Sequence, residues 1–303
     1  MTGLEEFAGI MCKKPDAMKK RLSARQLELN AVSAVPSKPA SVKVIDGEAM
    51  AMLVRRGLHP EKTAIDVPFP AGVDSVLEDR LSAWLGHYAF RLFLRGAIQK
   101  SSGFRPEETT RYLTRSQAGA YADALVELGL AEKAPLRRYR LKWAARNFGG
   151  TLEWYVAREL ARRYGFDVAT GVKLHVAGVG GDLDVVAAAE GKLVYIELKS
   201  SPPRNLTSSE MAGFYDRLNL LRPDLSLFVV DTALRLSDKV LPMLVDEFRR
   251  RGFGSAKPKR IAAQLWALTP HIYAVNGRRD LMANIGKAIA SGFLALSPHR
   301  GGR

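Results

Sequence analysis

Short apolar runs alternate with amphipathic segments along the second half of the chain. The spacing of apolar and polar positions predicts helices over 151–164, 208–221, 239–251 and 280–293, and strands over 165–176, 182–190, 192–200, 225–231 and 271–275. Thr151 is expected to cap the first of these helices. Glu190-Gly191 joins two of the strands through a turn short enough for a hairpin. Strands that alternate with helices in this way predict an α/β domain.

The first half of the chain is mainly helical by the same criterion. Apolar residues at helical spacing predict one long helix over 73–99. Pro106, followed by two acids, suits a second helix start. Thr114 and Gln117 form a capping box that opens a third helix. Two short strands are then predicted over 130–133 and 139–143, joined by a basic turn.

This order of helices and ribbon resembles the winged helix-turn-helix family. The resemblance implies a DNA-binding module whose third helix enters a major groove with Arg115, Ser116 and Gln117 at its N-terminal end. The cations expected along phosphates are those of the ribbon: Arg137, Arg138, Arg140 and Lys142. Small winged helices also act as dimerisation or protein-docking modules, and the sequence leaves that alternative open.

The N-terminal quarter of the chain has weaker patterns. A helix fits Ala17–Val32 and a shorter one fits Gly47–Arg56, and five prolines between 35 and 70 predict an otherwise irregular arm. Three regions are therefore expected: an arm over 1–75, a winged-helix module over 76–147 and an α/β domain over 148–303.

The charge of the chain says more about its function than its overall composition does. The 303 residues carry 46 Lys and Arg against 31 Asp and Glu, a net charge of +15, which points to a polyanionic partner. Residues 1–150 and 251–303 each carry a net +8, whereas residues 151–250 carry a net −1.

A single cysteine excludes a disulfide scaffold and a zinc site built mainly from thiolates. Without a signal-like or membrane-spanning run, we expect a cytoplasmic protein with no membrane partner. The basic run Lys257–Arg260 is expected to be a solvated loop.

The predicted hairpin carries the candidate chemistry. Because successive strand residues face opposite sides, Glu197 and Lys199 share one face of their strand. Antiparallel pairing through the short turn brings Asp184 to the same open end. Two carboxylates and a lysine among Val, Ile and Leu are costly unless compensated, and a divalent metal compensates carboxylates directly.

These residues resemble the PD-(D/E)XK nuclease superfamily. The match runs over Gly181-Asp-Leu-Asp184 and Glu197-Leu-Lys199, with Glu153 on the preceding helix. The resemblance implies a restriction-endonuclease-like mixed sheet flanked by helices. It also implies that Asp184 and Glu197 bind metal, that Lys199 orients the attacking water and stabilises phosphoryl charge, and that Glu153 completes the site directly or through water.

The sequence departs from the family pattern in two places. Leu183 stands where the family has its proline, and Asp182 competes with Asp184 as the metal ligand. Some branches carry a Gln or Tyr on the following helix, where this chain offers Tyr215, and Arg217 is an alternative that would touch phosphate.

The sequence therefore predicts a nuclease that needs Mg²⁺ or Mn²⁺ and hydrolyses phosphodiester bonds. Double-stranded DNA is favoured as the substrate because a winged helix suits a B-form major groove, and cutting both strands would require a homodimer. Two alternatives stay open: a catalytically inactive nuclease-like DNA-binding regulator, and an RNA- or junction-directed nuclease of a phage-defence system.

Overall fold

The computed structural model describes residues 46–70, 72–100, 102–176 and 182–297. The predicted helix Ala17–Val32 and the motif residue Gly181 lie outside these ranges. Within them, no helix is both long and apolar enough to cross a bilayer.

Within these described ranges, ten strands form one large sheet and one two-stranded ribbon. In chain order they are β1 (Pro60–Lys62), β2 (Ala131–Ala134), β3 (Arg138–Leu141), β4 (Asp167–Leu174), β5 (Asp182–Ala189), β6 (Lys192–Lys199), β7 (Leu225–Val230), β8 (Lys259–Ala262), β9 (Leu265–Thr269) and β10 (Ile272–Asn276). The eight-stranded sheet has the order β1-β4-β5-β6-β7-β10-β9-β8, and β2 pairs with β3. Strand β7 is parallel to both of its neighbours, whereas the outer strands pair antiparallel, so the sheet is mixed.

The described part of the chain contains eight helices, which pack around this sheet in two clusters. They are α1 (Glu48–Arg55), α2 (Ser75–Leu85), α3 (Tyr88–Gln99), α4 (Arg115–Glu127), α5 (Gly149–Tyr164), α6 (Ser208–Leu221), α7 (Val240–Arg250) and α8 (Leu281–Leu296). One buried cluster joins α2–α5 and α8 to the sheet face of Val185 and Ile196. A second joins α1, α6 and α7 to the opposite face, at Val186 and Tyr195. The predicted α/β fold with a mixed sheet flanked by helices is confirmed.

The long helix expected over 73–99 is two helices. Helix α2 ends at Leu85 and α3 begins at Tyr88. The fully buried Arg91 donates from Nη1 to the carbonyl oxygens of Leu85 and Gly86, at 2.6 and 3.2 Å. These carbonyls therefore have a side-chain partner and do not need a continuing helix. Apolar spacing alone does not reveal the break, because apolar residues continue at helical spacing across it, at Leu81, Leu85, Tyr88 and Leu92.

Thr151 does not cap helix α5, contrary to the prediction. The helix begins two residues earlier, where the Asn147 side-chain oxygen accepts a hydrogen bond from the Gly149 amide at 2.7 Å. Thr151 is buried in the first turn, and its hydroxyl has no hydrogen-bond partner within the described residues.

Two stretches expected to be irregular contribute to the sheet. Strand β1, in the stretch expected to be irregular, pairs antiparallel with β4, and the short helix expected over 47–56 forms as α1 and packs on the same sheet. The expected loop Lys257–Arg260 runs into edge strand β8, which pairs with β9. Both strands are short and lie largely exposed, so they lack the apolar alternation that marks a strand in sequence.

The segment from α2 to β3 has the predicted order of helices followed by a ribbon. A 3₁₀ turn at Pro106–Glu108 stands where a second helix start was expected. The capping box of Thr114 and Gln117 forms at the start of α4. The buried cluster of this segment is continuous with that of α5 and the sheet. The winged-helix assignment and the boundary near residue 148 stay predictions.

Candidate active site

The open end of the β5–β6 hairpin brings the motif residues together. The two strands pair as far as Val185 opposite Ile196 and then separate. Beyond that pair, the Asp184 carboxylate accepts a hydrogen bond from the Leu198 amide at 2.7 Å. The Leu198 amide therefore donates to the Asp184 side chain and not to a backbone carbonyl of β5, and the two strands are no longer paired at this point. Glu197 and Lys199 follow on the face of Tyr195, which is also the face of Asp184.

Glu197 is the central acid of this site. Its side chain is 1% exposed, and Lys199 lies with Nζ 2.8 Å from Oε1. Tyr195 donates its hydroxyl to Oε2, and Arg217 of helix α6 lies with Nη1 3.4 Å from the same oxygen. A buried carboxylate needs such partners, because an unpaired charge in this position would be strongly destabilising.

Glu210 forms a second contact with the lysine. It lies in the first turn of α6, where it completes a capping box with Thr207, and its Oε1 is 3.6 Å from Lys199 Nζ. Burial would lower the pKa of Lys199, but Glu197, Asp184 and Glu210 outweigh that effect and hold the pKa above its ordinary value. Lys199 is therefore a stable cation at the mouth of the site.

For Glu153 and Asp184, burial and neighbouring acids outweigh the groups that favour the charged carboxylate. Burial, with smaller contributions from the charges of Asp182 and Glu197, raises the pKa of Glu153 to about 7. Burial and the charges of Glu197 and Glu153 also raise the pKa of Asp184 well above its ordinary value. Helix α5 thus brings Glu153 to the same end of the sheet as the motif residues. An excess of negative charge in a partly dry site favours a cation.

The donor set fits a hard divalent cation. Mg²⁺ prefers carboxylate oxygens, keeps several waters and is held by one or two carboxylates in many sites. Asp184, Glu197 and Glu153 supply such oxygens, and their mutual repulsion is what a cation would relieve. Across the described ranges, no three acidic, histidine or cysteine side chains come close enough to enclose a metal ion by themselves. A resident ion would accordingly retain part of its water shell.

Comparison with known proteins gives a fold likeness. No protein-family model matches the sequence, and no curated protein matches it. Protein VC1899 from Vibrio cholerae aligns over 89% of this chain and 73% of its own, with a TM-score of 0.50 and 13% identity. The chain shares the fold of VC1899. Can2 from Sulfobacillus thermosulfidooxidans, solved in complex with cyclic tetra-adenylate, matches over 80% of this chain with a TM-score of 0.44 and 18% identity. The match spans 60% of the Can2 chain.

The remaining predicted site residues have other surroundings. Asp182 is half-exposed, and Lys173 lies 3.9 Å from it. Tyr215 is fully buried and donates its hydroxyl to the Leu244 carbonyl at 2.9 Å, so it belongs to the core between α6 and α7. Arg217 was expected, as an alternative, to contact phosphate. In the structure it contacts Glu197.

Two contacts of the site were missed by sequence reasoning. Tyr195 shares the strand face of Glu197, so strand parity could have found it. Glu210 could have been found only as a capping residue, since its approach to Lys199 depends on how α6 packs.

The predicted nucleic-acid residues line or flank a basic groove between α4 and the ribbon. The groove has a volume of about 580 Å³ and includes Arg115, Arg137 and Arg138. Several predicted residues there already have partners: Arg115 pairs with Glu107 at 3.1 Å, Arg138 donates to the Gly103 carbonyl, Arg140 pairs with Glu132, and Gln117 caps its helix. Arg137 and Lys142 are exposed and form no ion pair with any described residue.

Proposed function

We propose that this protein is a metal-dependent nuclease that hydrolyses phosphodiester bonds of nucleic acid. One observation supports the proposal most strongly: the buried Glu197–Lys199 pair lies beside two further acids, Asp184 and Glu153, whose pKa values are raised. A structural ion pair would need no additional acids, and each added acid costs stability. Retaining them makes physical sense if a cation and a phosphate occupy the site.

The residues of the chain have distinct roles in this proposal. Asp184 and Glu197 would hold Mg²⁺ or Mn²⁺, with Glu153 contacting the ion through a bound water, and the ion would lower the pKa of water and neutralise phosphate charge. Lys199, kept protonated by Glu197, orients the attacking water and stabilises charge on the phosphoryl oxygens. Arg217 and Tyr195 fix the Glu197 carboxylate from the other side.

The basic groove is proposed as the nucleic-acid surface of the winged-helix region. Its support is the excess of cations over acids around the N-terminal end of α4 and the ribbon. Exposed arginines of this kind bind phosphates regardless of sequence. DNA is the favoured substrate, and RNA is the alternative that the same groove chemistry permits.

A cleavage assay with matched variants tests the proposal. Wild type is expected to cut plasmid DNA, single-stranded DNA or RNA only when Mg²⁺ or Mn²⁺ is present. Asp184→Asn and Lys199→Met should lower the rate at least about 100-fold, since each removes a group from the reaction centre. Lys192→Met, at the other end of the same strand, should change it less than about fivefold.

The controls decide between outcomes. Circular dichroism and thermal unfolding show whether each variant is folded before its rate is interpreted. A wild type that binds nucleic acid but cuts none of the three substrates supports the inactive regulator. Equal rates for wild type and both site variants would contradict the catalytic assignment.

A further inference from the structure

A second cavity lies beside the candidate active site. Its volume is about 550 Å³, within the range of roughly 300–1,000 Å³ that small-ligand pockets occupy. Helix α3, the loop before α4 and the loops after β6 and β7 enclose it. Its walls are mainly apolar and aromatic, with these side chains among them: Tyr88, Leu92, Tyr112, Leu113 and Leu234. Tyr112 is 67% exposed and Leu234 is 59% exposed, so the cavity opens to solvent.

Cations border this apolar cavity. Arg95 and Arg204 line it, and a neighbouring cleft of about 410 Å³ shares Arg204 and adds Arg235, Lys239 and one acid, Asp238. The acid in the cavity, Asp231, is fully buried and bonded to both Arg91 and Arg95, so its charge is already neutralised. The combination suits a ligand with a flat apolar part and an attached negative charge.

The cavity is joined directly to the catalytic strand. Asp231 follows β7 and donates its backbone amide to the Lys199 carbonyl at 2.8 Å. Pro202 and Arg204, on the cavity wall, come three and five residues after Lys199 in the chain. The cavity therefore adjoins the backbone at the end of the strand that carries Lys199.

We infer that the cavity binds one unstacked nucleobase of the substrate strand, with Arg204 and Arg235 contacting the adjacent phosphate. The inference rests on the proposed function and gives the substrate a class, namely nucleic acid with a base free to leave its stack. Every base has a π-face that packs against tyrosine and leucine, so the cavity needs no base-specific hydrogen bonds. Duplex DNA could enter only by unpairing a base.

A binding assay with abasic strands tests the inference. The full chain carrying Asp184→Asn is titrated, by fluorescence anisotropy, with short oligothymidylate and with an abasic strand of the same length. We expect the intact strand to bind about tenfold more tightly, since base stacking on an aromatic side chain is worth a factor of that order. Ala89→Trp, which fills the cavity from α3, should bring the ratio close to one.

Milder variants keep the test valid if Ala89→Trp fails to fold. Leu234→Ala should reduce the ratio several-fold, whereas Leu294→Ala, a leucine of similar exposure on α8, should leave it unchanged. Equal affinity of the two strands for the parent protein would overturn the inference, as would an unchanged ratio in folded Ala89→Trp or Leu234→Ala. Competition by free thymidine 5′-monophosphate as strong as that by the strand would assign the cavity to a free nucleotide.

The two proposals fail in different ways. Base-dependent affinity in a protein that cleaves no substrate would contradict the nuclease and keep the cavity as a base site. Cleavage by wild type without base-dependent affinity would contradict the cavity and keep the nuclease.

Discussion

Glu153 and Asp184 differ from Glu197 in how their charge is balanced. Glu197 has a lysine, an arginine and a tyrosine hydroxyl around it. For Glu153, Lys199 lowers the pKa only weakly. Burial and the neighbouring acids raise it more. The site therefore holds one carboxylate with several cationic and hydroxyl partners and two carboxyls whose pKa values are raised. When these carboxyls are ionised at neutral pH, the repulsion between them persists in the folded protein until a cation binds.

Thermal stability without metal should fall as the pH rises. A carboxyl whose pKa is raised on folding binds more protons in the native state, so its contribution is present below its unfolded pKa and is lost as the pH passes the folded value. For Glu153 that window runs from its ordinary value of 4.5 to about 7. Between pH 5 and pH 8, the unfolding free energy of wild type should therefore fall by about 1–3 kcal/mol more than that of Glu153→Gln.

The measurement is Tm against pH for wild type, Glu153→Gln and Glu127→Gln, an exposed glutamate on α4. Wild type and Glu127→Gln should lose a few degrees more than Glu153→Gln. Adding Mg²⁺ at pH 8 should raise the Tm of wild type more than that of Glu153→Gln. Parallel curves for all three proteins would show that Glu153 does not titrate in this range.

Sequence reasoning reached some of these residues and not others, for a physical reason. Asp184, Glu197 and Lys199 are connected by strand parity and a short turn, so local geometry predicts that they meet. Arg217 reaches Glu197 only because α6 packs across β6, a contact between distant segments. Apolar patterning shows that a helix packs there, but not which of its polar residues faces the strand.

Helix α3 connects the segment from α2 to β3 with the large sheet. Arg91, fully buried, bonds Asp231 through Nε and Nη2 and the end of α2 through Nη1. Gly96 makes the other close approach: a Cβ there would overlap the backbone carbonyl of Thr109. Neither contact appears in an apolar pattern, which explains why the predicted helix was too long and its surroundings unknown.

The two glycines of α3 and α4 should respond oppositely to alanine. Gly96→Ala forces backbone apart, and we expect it to lower the unfolding free energy by about 2–3 kcal/mol. Gly119 has open space around its Cβ position, so Gly119→Ala should raise it by about 0.5–1 kcal/mol through helix propensity. Denaturant unfolding midpoints measure both. Stabilisation by Gly96→Ala would show that α3 does not contact the turn before α4 this closely.

Across the whole molecule, the basic groove, the apolar cavity and the open hairpin follow one another. Tyr112 and Leu113 line the cavity and directly precede Thr114, the cap of α4. Arg115, the next residue, lines the groove. The sequence shows basic flanks around a near-neutral centre, but the apolar cavity depends on one helix and three loops from separate segments of the chain.

This arrangement predicts a salt dependence that belongs to the groove. Each phosphate contact of a duplex contributes about −0.9 to the slope of log affinity against log salt concentration. In the Asp184→Asn background, Arg115→Glu with Arg137→Glu should weaken duplex binding and make the slope about two units less negative. Arg138 is spared because it donates to the Gly103 carbonyl and holds the ribbon.

The matched control is Arg249→Glu with Lys287→Glu, which changes the net charge equally at exposed positions on α7 and α8. If phosphates lie in the groove, the control pair should keep the wild-type slope, because long-range charge alone is screened within about 10 Å at ordinary salt. Equal slopes for both pairs would mean that the groove makes no phosphate contacts. The helical segment would then act as a docking or dimerisation module, and only the cavity and the hairpin would contact the strand.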